Sequence, residues 1–196
     1  IDKHAEALVG TYEAIYEELL GQDSEAASEV MSRLAAVHQA SGQYQQAFVA
    51  LGRALSGNPD REDFYVRLET LADELGVIDD LAAIYEDEFD RVLGEAHKER
   101  ISRRLIELYR RLEDQEGLRR AWQGVVDSSP GDVDALMRLA ELCEQADEIE
   151  DHLEILERLC SELIGVDRVG VLVRIARIRT EGALDPESPA AALMDV

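Results

Sequence analysis

Small and large apolar residues recur along this chain of 196 residues at a spacing close to 34, and this period limits the possible folds more than any other feature. In the segment from Ser28 to Arg61, two helical stripes are separated by a turn at Gly42, and the second stripe stops before Pro59. The stripes consist of Met31, Leu34, Ala35 and His38, followed by Ala47, Leu51, Ala54 and Leu55. Such a period is typical of helical repeat arrays, whose units bury their apolar faces against each other.

Further copies of the pattern follow, 34 residues later, then after another 37 and another 34. A longer echo takes Leu8, Tyr12 and Tyr16 to Leu81, Tyr85 and Phe89, and then to His152, Leu156 and Cys160. We therefore predict one helical array over residues 1–181, consisting of a second helix of a hairpin at 4–20, repeats at 28–61, 62–95, 99–132 and 133–166, and a first helix of a further repeat at 167–181. Residues 182–196 are predicted to form a tail or the start of a further helix.

The segment 28–61 resembles a tetratricopeptide (TPR) repeat, a helical hairpin with small residues where its two helices cross. The resemblance depends on Leu34-Ala35, on Gly42 and Tyr44 in the turn, and on Ala47, Ala54-Leu55 and Pro59. It implies an all-α, right-handed α-solenoid of about ten helices in antiparallel hairpins, with a concave groove lined by the first helices. The aromatic and acidic steps of the longer echo are similar to those of long bacterial TPR-like arrays.

The crossing residues of the later repeats depart from this pattern. Ala35 and Ala47 are replaced by Glu69 and Leu81, then by Ile106 and Leu118, and then by Ala140 and His152. Because larger residues at a crossing keep helices apart, we predict wider or differently angled hairpins there.

The composition excludes several classes of partner. With 43 acidic and 20 basic residues, the net charge of −23 repels nucleic acid and anionic membranes. No apolar run reaches the length of a transmembrane helix, so membrane insertion is not expected. The chain begins without methionine or a signal peptide, from which we predict a fragment of a longer cytoplasmic protein.

The sequence contains no pattern typical of a catalytic, cofactor or metal site. His4, His38, His97 and His152 are scattered over separate helices, and no glycine-rich phosphate loop or metal-ligand motif occurs. The two cysteines lie on apolar helix faces, which indicates buried free thiols. We therefore expect a protein without cofactor or metal that is not an enzyme.

One group of basic residues follows the repeat. Arg33, Arg67, Arg104 and Arg138 each precede the leucine that anchors a first helix. The TPR resemblance places them, together with Arg103, on or beside the groove, where guanidinium groups would bind the carboxylates of an acidic segment. Alternatively, these arginines pair with acidic residues of neighbouring helices of the same chain.

A second basic feature is the window 98–120, with eight basic and five acidic residues. Helix-surface ion pairs account for part of it, and a docking patch for the acidic surface of another copy is the alternative.

These features lead to one main functional hypothesis and two alternatives. The main hypothesis is a protein–protein interaction scaffold that binds a protein or peptide segment on its concave face. The alternatives are a structural spacer or self-assembly module that stacks through its end hairpins, and a regulatory domain of a larger enzyme.

Overall fold

The computed structural model describes the backbone of residues 3–184 and the side chains of residues 7–181. Ten α-helices and no β-strand occupy this described part. The predicted all-α fold of about ten helices is therefore confirmed. Of the predicted tail, residues 182–184 belong to the last helix and the remainder lies outside the described residues, as does the side chain of His4.

The chain divides into two compact units, residues 1–92 and residues 93–196. The helices of the first unit are α1 (Lys3–Leu19), α2 (Ser24–Ala40), α3 (Tyr44–Gly57), α4 (Glu62–Leu75) and α5 (Ile78–Arg91). Those of the second are α6 (Glu95–Leu112), α7 (Gln115–Ser128), α8 (Val133–Gln145), α9 (Ile149–Glu162) and α10 (Gly165–Leu184). Within each unit, consecutive helices pack against each other after short turns, which produces a series of antiparallel hairpins.

Aspartate side chains and proline set several of the helix ends. Asp23, Asp114 and Asp132 precede α2, α7 and α8, and each accepts a hydrogen bond from the backbone N–H three residues later, at 2.9–3.0 Å. These bonds satisfy N–H groups that have no partner within the helix. At the other end of a helix, α3 stops at Gly57, and Asn58 before Pro59 is extended, as steric contact with a proline ring requires.

The core of the first unit alternates small and large side chains. Ala35 of α2 and Ala47 of α3 are completely buried at the crossing of these two helices. Here the Ser28 hydroxyl donates a 2.6 Å hydrogen bond to the Ala54 carbonyl. Beyond this crossing, the rings of Tyr65 and Tyr85 contact each other with centroids 5.4 Å apart. The small residues thus allow close packing where the TPR resemblance predicts it.

The larger crossing residues have the predicted effect between α4 and α5, whose backbones have the sparsest contact of the four hairpins. There the Tyr85 hydroxyl donates to the Glu69 carboxylate at 3.2 Å, so a hydrogen bond occupies the position of an alanine contact.

The packing of α6 against α7 differs from the sequence prediction. Leu118, the predicted crossing residue, is only half-buried, and Gly117 is buried against the ring of Tyr109. A Cβ atom at Gly117 would lie 2.4 Å from Cδ1 of Tyr109. Helix α7 is therefore rotated by about one residue from the prediction, and a glycine makes the close approach possible.

Candidate partner-binding surfaces

The structure places the predicted arginines in different environments. Arg33 and Arg138 lie on the exposed surfaces of α2 and α8, with 64% and 53% of their side chains accessible. Each pairs within its own helix, Arg33 with Glu29 at 2.9 Å and Arg138 with Glu141 at 3.0 Å. The guanidinium of Arg33 lowers the pKa of Glu29. Because exposed pairs of this kind contribute little stability, a carboxylate of a partner could replace the internal one at small cost.

Arg67 connects two helices of the first unit. From α4 its guanidinium donates to the Ser32 hydroxyl of α2 at 2.7 Å and to the Ser32 carbonyl at 3.3 Å. The side chain is half-buried, and this burial lowers the pKa of Arg67. Nearby, Arg61 of the α4 N-cap reaches Glu29 of α2 at 3.5 Å. Polar bonds of this kind align the first helices of successive hairpins, so Arg67 has a structural role in the chain.

The basic residues of α6 are also engaged with acidic neighbours. Arg103 binds Glu99 on its own helix at 2.8 Å and Asp132, the N-cap of α8, at 2.7 Å. Arg104 is half-buried and engaged with other groups of the chain. Elsewhere in the window 98–120, Arg110 pairs with Glu107 and Arg119 with Glu116 and Glu148. These ion pairs join α6 to the start of α8 and α7 to the start of α9.

An apolar groove runs between α8 and α10 in the second unit, with a volume of about 530 Å³. Its apolar lining includes Val133, Met137 and Ala140 from α8, Leu159 from α9, and Val166 and Gly170 from α10. Charged groups at its edge are Glu141, Asp167 and Arg174. Met137 is 48% exposed and directly precedes Arg138. A groove with this lining accepts an apolar side chain and offers guanidinium groups beside it.

The sequence analysis did not identify this groove. Its signal was present in the segment GVLVRIARI, 170–178, in which apolar residues occupy more than one face of the helix. Which of these faces becomes a groove depends on the packing of α8 and α9, and the helical period does not specify that packing.

A second cavity of about 370 Å³ lies on the same unit and contains His152 at its wall. His152 is 4% exposed, and its Nε2 atom has no hydrogen-bond partner. Burial lowers the pKa of His152, and the positive charge of Arg174 lowers it further, against an opposite effect of Glu144. The uncharged imidazole is therefore the stable form near neutral pH.

The remaining candidate chemistry is sparse in the described residues. No set of three or more His, Cys, Asp and Glu side chains in that part of the chain has the geometry of a metal site. Cys143 and Cys160 are both buried free thiols, as predicted, and burial raises the pKa of Cys143. No helix within residues 3–184 combines the length and hydrophobicity of a membrane span.

Neither a family model nor a curated protein matches the sequence. Solved structures with similar helical arrangements include PilF from Pseudomonas aeruginosa, at 11% identity over 98% of this chain and 99% of that one, with a TM-score of 0.41. MamA residues 41 to the end from Desulfovibrio magneticus RS-1 has 15% identity over 89% and 96% of the two chains, with a TM-score of 0.36. The TPR2AB domain of yeast Sti1, solved in a complex with pHSP90, has 13% identity over 89% and 78%, with a TM-score of 0.35.

The assignment of the fold depends on the chain's own helices and turns. Antiparallel hairpins, alanines at the α2/α3 crossing, a glycine turn and a proline after the second helix are all present. The chain is therefore similar in fold to TPR-type helical repeat proteins.

Proposed function

We propose that this protein is a non-catalytic interaction module that binds a segment of a partner protein in the groove between α8 and α10. The observation that carries the proposal is the apolar groove of about 530 Å³, on which Met137 and Val166 are exposed. Groups of exposed apolar side chains on a concave surface are common at sites of protein recognition. The groove lies between the first helices of two successive repeats, where the TPR resemblance predicts partner binding.

The charges around the groove favour an acidic segment. Arg138 follows Met137 on α8 and is exposed, and Arg174 lies at the edge of the groove from α10. Both arginines pair with glutamates of α8, namely Glu141 and Glu144. A carboxylate of the partner that replaces one of these exposed ion pairs gains a charge-assisted hydrogen bond. The preferred ligand therefore has one large apolar side chain with an aspartate or glutamate beside it.

The other predicted arginines contribute unequally to this proposal. Arg33 offers the same exposed chemistry on the first unit, whereas Arg103 and Arg104 are engaged within α6 and its surroundings. Arg67 is excluded from the binding test because its loss would disturb the contact between α2 and α4.

Selection from a library of short random peptides on the immobilised chain tests the proposal without knowledge of the natural partner. We expect selected peptides to share an apolar residue flanked by acidic ones. Fluorescence anisotropy of a selected peptide should then show binding weakened by about tenfold or more in Met137→Glu, since an anchor site in a groove has an effect of this size. Arg138→Glu should weaken binding and reduce its dependence on salt.

The matched control is Val49→Glu on α3, since Val49 is exposed to nearly the same extent as Met137, 49% against 48%. This substitution adds the same charge and should leave the affinity unchanged. Equal binding by wild type and Met137→Glu, with helicity retained in both, would contradict the proposal.

A further inference from the structure

Helix α10 has two apolar faces, and only one of them is packed. Ile175 is buried, and Val171 and Ile178 beside it are half-buried. The opposite face carries Val169, Leu172, Val173 and Ala176, whose spacing of three and four residues places them in one stripe. Val169 and Val173 are 57% and 63% exposed. This stripe, here called the outer face of α10, is distinct from the side of the helix that lines the groove.

Arginines flank the outer face of α10 on both sides. Arg168 and Arg177 occupy the adjacent helical positions, and neither forms an ion pair with any described residue. By contrast, Arg174 and Arg179 pair with Glu144 and Glu157 of the same unit. Helix α10 holds four arginines against two acidic residues in a chain whose net charge is −23. An apolar stripe between two unpaired cations is suited to an apolar helix surface that carries carboxylates.

Helix α1 has the complementary surface. Val9, Tyr12 and Tyr16 are half-buried on the side that packs against α2. Leu8 and Ile15, seven residues apart, remain exposed next to them. Glu13, Glu17 and Glu18 form no ion pair with the described residues, and the described side chains of α1 include no base.

The repeat register gives a reason for these two helices to fit together. By the sequence echo, α1 corresponds to α9, and α9 packs against the first helix before it and the first helix after it. Helix α1 packs against the following first helix, α2, in the same way. Helix α10 is a first helix in register, so its outer face is the side on which a second helix of its hairpin would pack.

We propose that α1 of one copy packs on the outer face of α10 of another copy, and that the two helices form an intermolecular hairpin. Leu8 and Ile15 then contact the valine stripe, and Glu17 and Glu18 approach Arg168 and Arg177. Since the two surfaces differ, the contact is heterologous and joins copies head to tail into rings or filaments.

The size of the contact predicts weak association. One helix face against another buries less than the roughly 1,600 Å² of a standard interface. Dissociation constants in the micromolar to submillimolar range are therefore expected, with stronger association at low salt because of the charge pairs.

Sedimentation velocity of the complete chain, from micromolar to millimolar concentration and at low and high salt, tests the proposal. Wild type should form oligomers at high concentration and low salt. Val169→Glu combined with Val173→Glu should remain monomeric, since it places charge in the stripe. Circular dichroism should show unchanged helicity, because both side chains are exposed.

A pair of charge-swapped chains identifies the two helices involved. The first carries Arg168→Glu and Arg177→Glu on α10, and the second carries Glu17→Arg and Glu18→Arg on α1. Each chain alone brings like charges together and should be monomeric, whereas an equimolar mixture restores opposite charges and should associate as wild type does.

Two results would overturn the proposal. One is a mixture of the swapped chains that stays monomeric under conditions in which wild type associates. The other is a wild-type chain that is monomeric at millimolar concentration and low salt, whether residues 185–196 or a different protein cover the outer face.

Discussion

At the scale of single residues, four turns in equivalent positions of successive repeats share one backbone conformation. Gly42, Gly76, Glu113 and Asp147 lie 34, 37 and 34 residues apart, and all four have a positive φ of 55–72°. Glycine adopts this left-handed region without steric cost, whereas a side chain brings Cβ close to the following carbonyl oxygen. The first two turns are therefore unstrained, and the last two keep the same geometry at a cost in free energy.

Glu113→Gly should therefore stabilise the protein by about 1 kcal/mol, the usual size of the penalty for a left-handed residue other than glycine. Urea unfolding followed by circular dichroism measures the difference. Glu154→Gly on the exposed side of α9 is the control, and it should destabilise by about 1 kcal/mol because glycine is unfavourable within a helix. A loss of stability in Glu113→Gly would contradict the interpretation.

At the scale of helices, residues that look alike in the sequence have different structural roles. Arg33 and Arg67 both precede a leucine at the same repeat position. Arg33 pairs within its helix on the surface, whereas half-buried Arg67 binds Ser32 of the neighbouring first helix. The position that corresponds to Ser32 in the later repeats holds valine, arginine and methionine, in Val66, Arg103 and Met137. Only α2 thus offers a serine to the arginine of the next repeat.

Arg67→Met is expected to lower the free energy of unfolding by about 1–2 kcal/mol, since it removes hydrogen bonds between α2 and α4 while it retains the apolar stem. Arg33→Met removes only an exposed pair and should change the value by less than about 0.5 kcal/mol. Chemical denaturation of both variants under the same conditions provides the measurement. Equal effects of the two substitutions would mean that the bond to Ser32 has no structural weight.

At the scale of the whole molecule, acidic residues outnumber basic ones by 43 to 20. Most described arginines with resolved ion pairs already have an acidic partner, so many carboxylates remain without a counter-charge. The folded chain concentrates these charges, and their mutual repulsion opposes folding. Screening by salt should weaken this repulsion more than it weakens the smaller number of ion pairs.

The thermal midpoint should consequently rise with sodium chloride concentration between the millimolar range and a few hundred millimolar. A gain of about 1 kcal/mol corresponds to a shift of about 2–4 °C for a chain of this size. Scanning calorimetry measures the midpoint, with sucrose at equal osmolality as a control that does not screen charge. A midpoint that falls with salt would show that ion pairs outweigh the repulsion.

The sequence by itself determined the helical class, the approximate helix count and the small residues of the α2/α3 crossing. These features depend on local propensity and on a period that is visible in the residues. The rotation of α7 that places Gly117 against Tyr109, the bond from Arg67 to Ser32, and the groove between α8 and α10 were decided only by the tertiary structure. Each depends on how one helix is turned against another. The helical period specifies which residues share a face, but it does not specify which neighbouring helix covers that face or leaves it open.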